Sequence, residues 1–246
     1  MNDHNLPTLQ QILERKTQPP LCLYNYYVVM RDRLYMEEVL DFYLDVQHHE
    51  QLWRRYTRSP SGDNQQAVIN SAQHLLKHYL APSAAKELTQ LPVALKHTIR
   101  TDMERNHRVD PAVFNQAKNY LFELMQRQAY PKFLRVKVWG NVTLWQQLGR
   151  MAVGLVALLV ALATGLSLIF LGYPTWGVRC WVFLPFWIGV FNLSVFLTGL
   201  DPLWVLLFDI SETTPFRFNK IKQSQVKRIL WSRSVWVMAI SLTITS

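Results

Sequence analysis

The sequence predicts an all-α protein, a polar helical bundle followed by transmembrane helices. Three observations predict it. Through the first 140 positions, apolar residues recur at intervals of three and four, the period of a helix with one buried face. Alternating apolar–polar runs and the Asn-Gly or Asp-Gly turns of tight hairpins are missing from that portion. Residues 151–172, MAVGLVALLVALATGLSLIFLG, hold no charge and no Pro. As a helix these 22 residues reach about 33 Å, enough for a hydrocarbon core of about 30 Å.

The apolar run divides the chain by composition. Residues 1–150 carry 19 of the 26 Lys and Arg and 14 of the 17 Asp and Glu, and both portions are net basic within a total of +9. A basic surface suits an anionic leaflet or an acidic protein. Nucleic acid fits poorly, because the anchor holds the chain at a membrane and no Arg-rich or aromatic-platform motif occurs. The N-terminus, MNDHNLPTLQQ, has neither a basic nor an apolar leader region, so no cleaved signal is expected. Two cysteines, Cys22 and Cys180, make no disulfide framework and fit a reducing compartment.

In chain order, Thr8 and Gln11 have capping-box spacing ahead of Leu9, Ile12 and Leu13, predicting a short first helix. Pro19 and Pro20 fit the entry of a second, with Leu23, Tyr26, Tyr27 and Met30 on its face. The longest soluble helix covers 36–58, striped by Val39, Leu40, Tyr43, Val46, Leu52, Trp53 and Tyr56. A turn-rich stretch at 59–64 precedes a helix over 65–79. Short helices are expected at 83–88 and 92–103. Asp110 as cap and Pro111 as first helical residue open another helix, which Pro131 breaks.

In the apolar portion, residues 173–178 form a turn and 180–200 a second span, kinked at Pro185. Tyr173, Trp176 and Trp181 mark an interface. The last apolar run, 235–246, is too short to cross. It is expected either to be a third span cut short or to dip into one leaflet. Positive charge collects in Arg217, Lys220, Lys222, Lys227, Arg228 and Arg233, and at the end of the soluble portion in Arg127, Lys132, Arg135, Lys137 and Arg150. The positive-inside rule places both groups in the cytosol. The resulting division is a cytosolic domain over 1–145 and a membrane region over 146–246, at the plasma membrane or an endomembrane.

Two stretches carry a family resemblance. MEEVLDFYLDVQHH resembles the E-E-N-hydrophobic-x-F-W signature of RGS domains, regulators of heterotrimeric G-protein signalling. DPAVFNQAKNYLFELMQRQAYPKFL resembles the C-terminal RGS signature, with Phe114, Ala117, Leu124, Met125, Tyr130, Phe133 and Leu134 at matching positions. The resemblance covers about residues 7–140. With membrane helices and the phrase PPLCLYNYYVVMRDR, the chain is similar to fungal RGS-like membrane proteins linked to bud-site selection and cell polarity.

The resemblance implies a Gα subunit as partner and faster GTP hydrolysis by that subunit, with no cofactor, no metal and no chemistry of the chain's own. It implies Glu37, Glu38, Val39, Asn106 and Arg108 as contact positions. Two departures matter: Val39 stands where the family has Asn, and Tyr43 where it has Trp. The alternative is a non-catalytic polarity protein that uses the fold for contacts with other membrane proteins. A lipid-binding sorting module is a third reading. The six basic residues from Arg217 to Arg233 form a candidate surface for anionic lipid.

Other polar groups read more simply as structure. His74 and His78 are four apart, but a zincin pair needs Glu beside the first His and the chain has Leu75. His48, His49, Asp41, Asp45 and Glu50 read as a solvated helix face. Asn192 and Ser194 suit helix–helix hydrogen bonds better than a transport path. The chain has no Gly-rich phosphate loop and no G-x-S-x-G elbow, so independent catalysis is not indicated.

Overall fold

The computed structural model describes residues 6–82, 84–172, 176–214 and 217–245, and for 212–214 and 217–219 the backbone alone. The chain forms two compact units. One is Tyr26–Lys132; the other joins Met1–Asn25 to Phe133–Ser246.

The chain begins with α1 (Leu9–Leu13), where both bonds of the Thr8–Gln11 capping box are made. Next comes α2 (Leu23–Val29), which starts three residues after Pro20 and widens into a π-helical turn over Met30–Leu34. Tyr35, at φ +52°, ends that turn. The long helix α3 (Glu37–Arg58) follows the predicted span and buries Val39, Leu40, Phe42, Tyr43 and Val46. Ser61 caps α4 (Gly62–Leu75), which also widens, over Leu76–Leu80. The helix expected at 83–88 is replaced by turns over 84–88, and Ser83 lies outside the described residues. The backbone N–H groups of Lys86 and Leu88 bond the carbonyls of His78 and Tyr79 instead, which holds this stretch as a loop.

The helix α5 (Val93–Glu104) is followed by α6 (Ala112–Leu124), which begins one residue later than predicted. Asp110 makes no side-chain cap; its carboxylate bonds Arg108. Pro131 does not break the chain's path. A π-helical turn over Met125–Ala129 precedes it, and α7 (Tyr130–Val138) runs through it. Pro lacks an N–H and its ring crowds the carbonyl four residues back, and the wider turn relieves both demands. The first unit's core is the seam of α3, α4 and α6, with Phe42, Leu75, Phe114 and Leu121 fully buried.

The uncharged run lies in α8 (Leu144–Phe170), which starts earlier than its composition suggests because Thr143 and Gln146 form a second capping box. Residues 173–175 of the expected turn lie outside the described residues. A one-turn helix α9 (Trp176–Arg179) passes through a 3₁₀ turn at Cys180–Val182 into α10 (Phe183–Thr198). Pro185 lies within this continuous helical stretch, three residues after the 3₁₀ turn at Cys180–Val182. The two helical stretches Leu144–Phe170 and Trp176–Thr198 are long and apolar enough to cross a membrane. They pack closely at Gly189, where a Cβ would lie 2.6 Å from Leu158 Cγ.

Between Gly199 and the last apolar run, the structure adds elements that have no counterpart among the predicted ones. Asp201 caps α11 (Pro202–Phe208), with Pro at its first position. A two-stranded antiparallel ribbon comes next, β1 (Ile210–Thr214) against β2 (Arg217–Lys220), pairing Ile210 with Lys220 and Thr214 with Arg217. The final apolar run belongs to a 22-residue helix, α12 (Ser224–Thr245), which packs on α10 and α11; Ser246 lies outside the described residues.

Polar contacts tie this second unit together. Arg150 donates to Asn192 Oδ1 at 3.0 Å and to the buried Asp201 carboxylate. Asn141 exchanges bonds with the Asp201 backbone at 2.7 and 3.0 Å. Gly140 is required beside this joint, since a Cβ there would lie 2.7 Å from the Gly199 carbonyl oxygen. Arg233 donates to the Trp139 carbonyl and lies over that ring. At the chain's start, the Pro19 carbonyl accepts from the N–H groups of Lys222 and Gln223 at 3.0 and 3.1 Å.

Candidate functional site

The resemblance points first to the start of α3. Two acidic residues in a helix's first turn complement its positive end, and Glu37 and Glu38 occupy that turn, both half-buried. Val39 follows them into the core, 0% exposed. Helical geometry forces this, because the stripe Val39, Leu40, Phe42, Tyr43, Val46 faces inward. Position 39 therefore offers a partner no side chain at all.

The loop between α4 and α5 lies against these acids. Gln90 Nε2 donates to Glu38 Oε1 at 2.8 Å, and Lys86 Nζ donates to Asp41 Oδ2 at 2.5 Å. The Asp41 hydrogen bond raises the Lys86 pKa above its ordinary value. Lys96 holds the loop's Glu87 at 2.9 Å, and Leu88 is fully buried beneath. Glu37 Oε2 and Gln90 Oε1 are buried without a hydrogen-bond partner among the described residues. Tyr35, just ahead of the helix, is exposed at this end of α3.

Asn106 and Arg108 are placed elsewhere. The loop that carries them is anchored by His49, whose Nε2 lies 2.9 Å from the Val109 carbonyl oxygen. A carbonyl only accepts, so Nε2 carries the proton. Glu50 and Lys118, 2.6 Å apart, hold α6 to the same level of α3. His49 lies twelve residues from Glu37, which is about 18 Å along the helix. Asn106 donates to Asp102, and Arg108 makes a two-pronged pair with Asp110 that depresses the Asp110 pKa. The five expected contact residues thus do not converge. Lys86, Glu87 and Gln90 join Glu37 and Glu38 instead. Pro82 and Pro92, which bracket a polar loop, were the only sequence signal for it.

Tyr79 donates to Asp45 at 2.7 Å, and its pKa is pushed up by burial and then by that bond. His74 lies 3.6 Å from Asp45 and stacks on His78 at 4.4 Å. These groups close the seam of α3 and α4.

The basic cluster is also divided. Lys227 pairs with Asp209 at 2.7 Å, and Arg233 is turned onto Trp139. Lys220, Lys222 and Arg228 are exposed, and the Arg217 side chain lies outside the described residues.

The family model of the regulator of G protein signaling domain matches residues 9–141. The chain belongs to the RGS domain family. The match takes in the whole Tyr26–Lys132 unit and extends on both sides into the other. Protein rax1 of Schizosaccharomyces pombe is 24% identical over an alignment 326 positions long, which covers 97% of this chain and 94% of the relative. The family likeness of the α3 start and of the α6–α7 stretch is therefore shared ancestry, and the described residues of this RGS protein are all-α apart from the late ribbon.

Proposed function

We propose that the chain is a membrane-anchored RGS regulator that binds a Gα subunit and speeds its GTP hydrolysis. The observation that carries this is the surface at the start of α3. There Glu37 and Glu38 stand beside a polar loop that sends Lys86 to Asp41 and Gln90 to Glu38, in a chain of the RGS family that also holds two span-length helices. A Gα subunit supplies its own arginine and its own water-orienting Gln, and hydrolyses slowly, at about 10⁻² s⁻¹. The RGS surface would hold the switch segments in their transition-state arrangement, preorganisation supplied in trans without chemistry from this chain. Asn106 and Arg108 would serve at a second, separate contact. In this reading residues 1–145 face the cytosol, 146–246 form a multi-pass anchor, and the anchor holds the domain where lipidated Gα subunits reside, raising effective concentration.

Single-turnover GTP hydrolysis by Gα subunits, with the full chain in nanodiscs, tests it. Acceleration that is lost in Glu37→Ala/Glu38→Ala supports the reading, and no acceleration of any Gα overturns it.

A second reading rests on Val39. With position 39 sealed in the core, the family's Asn contact has no counterpart, which favours a non-catalytic polarity protein that uses the RGS fold for contacts with other membrane proteins. Tight binding of Gα carrying a transition-state mimic argues against it.

A further inference from the structure

The connector after α10 carries an exposed surface whose charges are sorted. Of its described basic side chains, Lys227 is matched by Asp209 and Arg233 by the Trp139 carbonyl and ring. Lys220, Lys222 and Arg228 are exposed, and none of them forms an ion pair among the described residues. The N-terminal strap is pinned to this connector, with Pro19 bonded to the backbone of Lys222 and Gln223 and Gln18 to the Gln223 side chain at 3.3 Å. Four residues before Pro19, Arg15 is exposed, while Lys16 is neutralised by Glu14 at 2.6 Å. The fold thus gathers unmatched cations from both ends of the chain.

The order of side chains along α12 indicates the occupant. Arg228, Trp231 and Val235 are spaced three and four apart, so they share one face, and all three are exposed. Basic, then aromatic, then aliphatic is the order of a helix passing from headgroups into acyl chains. Trp236 and Ile240 continue the exposed apolar surface. An acidic protein would satisfy the cations but not this gradient.

We propose that Lys220, Lys222 and Arg228, with Arg15 of the strap, form a binding surface for anionic lipid headgroups of the bilayer that α8 and α10 enter. This rests on the reading of those two helices as spans. The strap makes the surface depend on both ends of the chain, so lipid charge also favours the closed strap.

The test uses the full chain in phosphatidylcholine nanodiscs carrying trace spin-labelled phosphatidylserine or phosphatidylcholine, with the motionally restricted fraction read by electron paramagnetic resonance. Each basic residue near an anionic surface contributes roughly a fivefold preference, so the wild-type chain selects the serine lipid several-fold, and 0.5 M salt removes the selection as a Debye length of about 4 Å requires. Lys220→Gln/Lys222→Gln/Arg228→Gln brings the ratio towards one, and Arg15→Gln lowers it by a smaller step. Lys227→Gln/Asp209→Asn, which removes a matched pair, leaves it unchanged. Equal restriction of both lipids by the wild-type chain overturns the proposal, as does a triple variant that keeps full selection while its inserted glycosylation tags report unchanged orientation. Binding of polyglutamate without selection of the serine lipid also overturns it, in favour of an acidic protein. Carbonate extraction separates the two readings. Release of the chain from membranes defeats the spans, whereas retention with no lipid selection defeats only this surface.

Discussion

Val39 shows how one residue limits a function read from a motif. It sits two positions into the acidic start of α3, but the helical stripe turns it inward. Val39→Asn should therefore not restore a partner contact. It buries an unpaired amide and loses apolar burial, a destabilisation of roughly 2–4 kcal/mol, read as a lower urea midpoint. A variant as stable as wild type that gains Gα affinity would show that position 39 reaches the surface. His49 carries a pH dependence. Burial lowers its pKa, while the Val109 carbonyl and Glu50 oppose that shift. Its Nδ1 is buried without a partner among the described residues. The unfolded chain then takes up the proton first as pH falls below about 6.5. The stability His49 contributes is full above that pH and is lost as pH falls through the lowered folded value, at no more than about 1.4 kcal/mol per pH unit. Urea midpoints at pH 7.5, 6.0 and 5.0 should fall more steeply for wild type than for His49→Leu.

Among the elements, helix ends and joints decide more than helix interiors. Asp-Pro occurs twice before a helix, with different outcomes. At Asp201 the carboxylate caps Leu203 N–H at 3.1 Å, while at Asp110 it is drawn to Arg108. The joint of α8, α10 and α11 depends on the Arg150–Asp201 pair, because Asp201 is 1% exposed. Arg150→Met leaves that carboxylate buried and uncompensated, which costs about 3–5 kcal/mol. Arg150→Met/Asp201→Asn should recover much of the loss. Thermal unfolding of the detergent-solubilised chain measures both, and additive losses in the double variant would show that the two residues act independently. Thr143→Ala removes the cap of α8 and should cost about 1 kcal/mol.

Across the chain as a whole, the strap and the entry of α12 form one assembly although they lie far apart in sequence, as the 205-residue separation of Gln18 and Gln223 records. Deleting residues from 222 onward should raise amide hydrogen exchange across α1 and the strap by at least tenfold, since about 1.4 kcal/mol of lost protection corresponds to that factor. Unchanged exchange there would mean that the strap holds by its own packing of Leu9, Ile12, Leu13 and Leu21.

The all-α class, the RGS signatures, the extent of α3, the capping box at Thr8 and the two span-length helices were all legible in the order of residues alone. Each of these is a local property, since a 3.6-residue stripe, a cap three residues from its partner and an uncharged run are complete within one or a few turns. Packing in three dimensions settled the rest. It brought the loop of Lys86 and Gln90, and not that of Asn106 and Arg108, to the start of α3, because which loop returns to a helix end depends on how α3, α4 and α5 pack. It carried the α6–α7 path through Pro131, where a widened turn relieves a clash that residue type alone would count as a break. It also sorted the basic residues after Asp201 into matched and unmatched charges, because an ion pair such as Lys227–Asp209 or a contact such as Arg233–Trp139 forms only when separated segments meet.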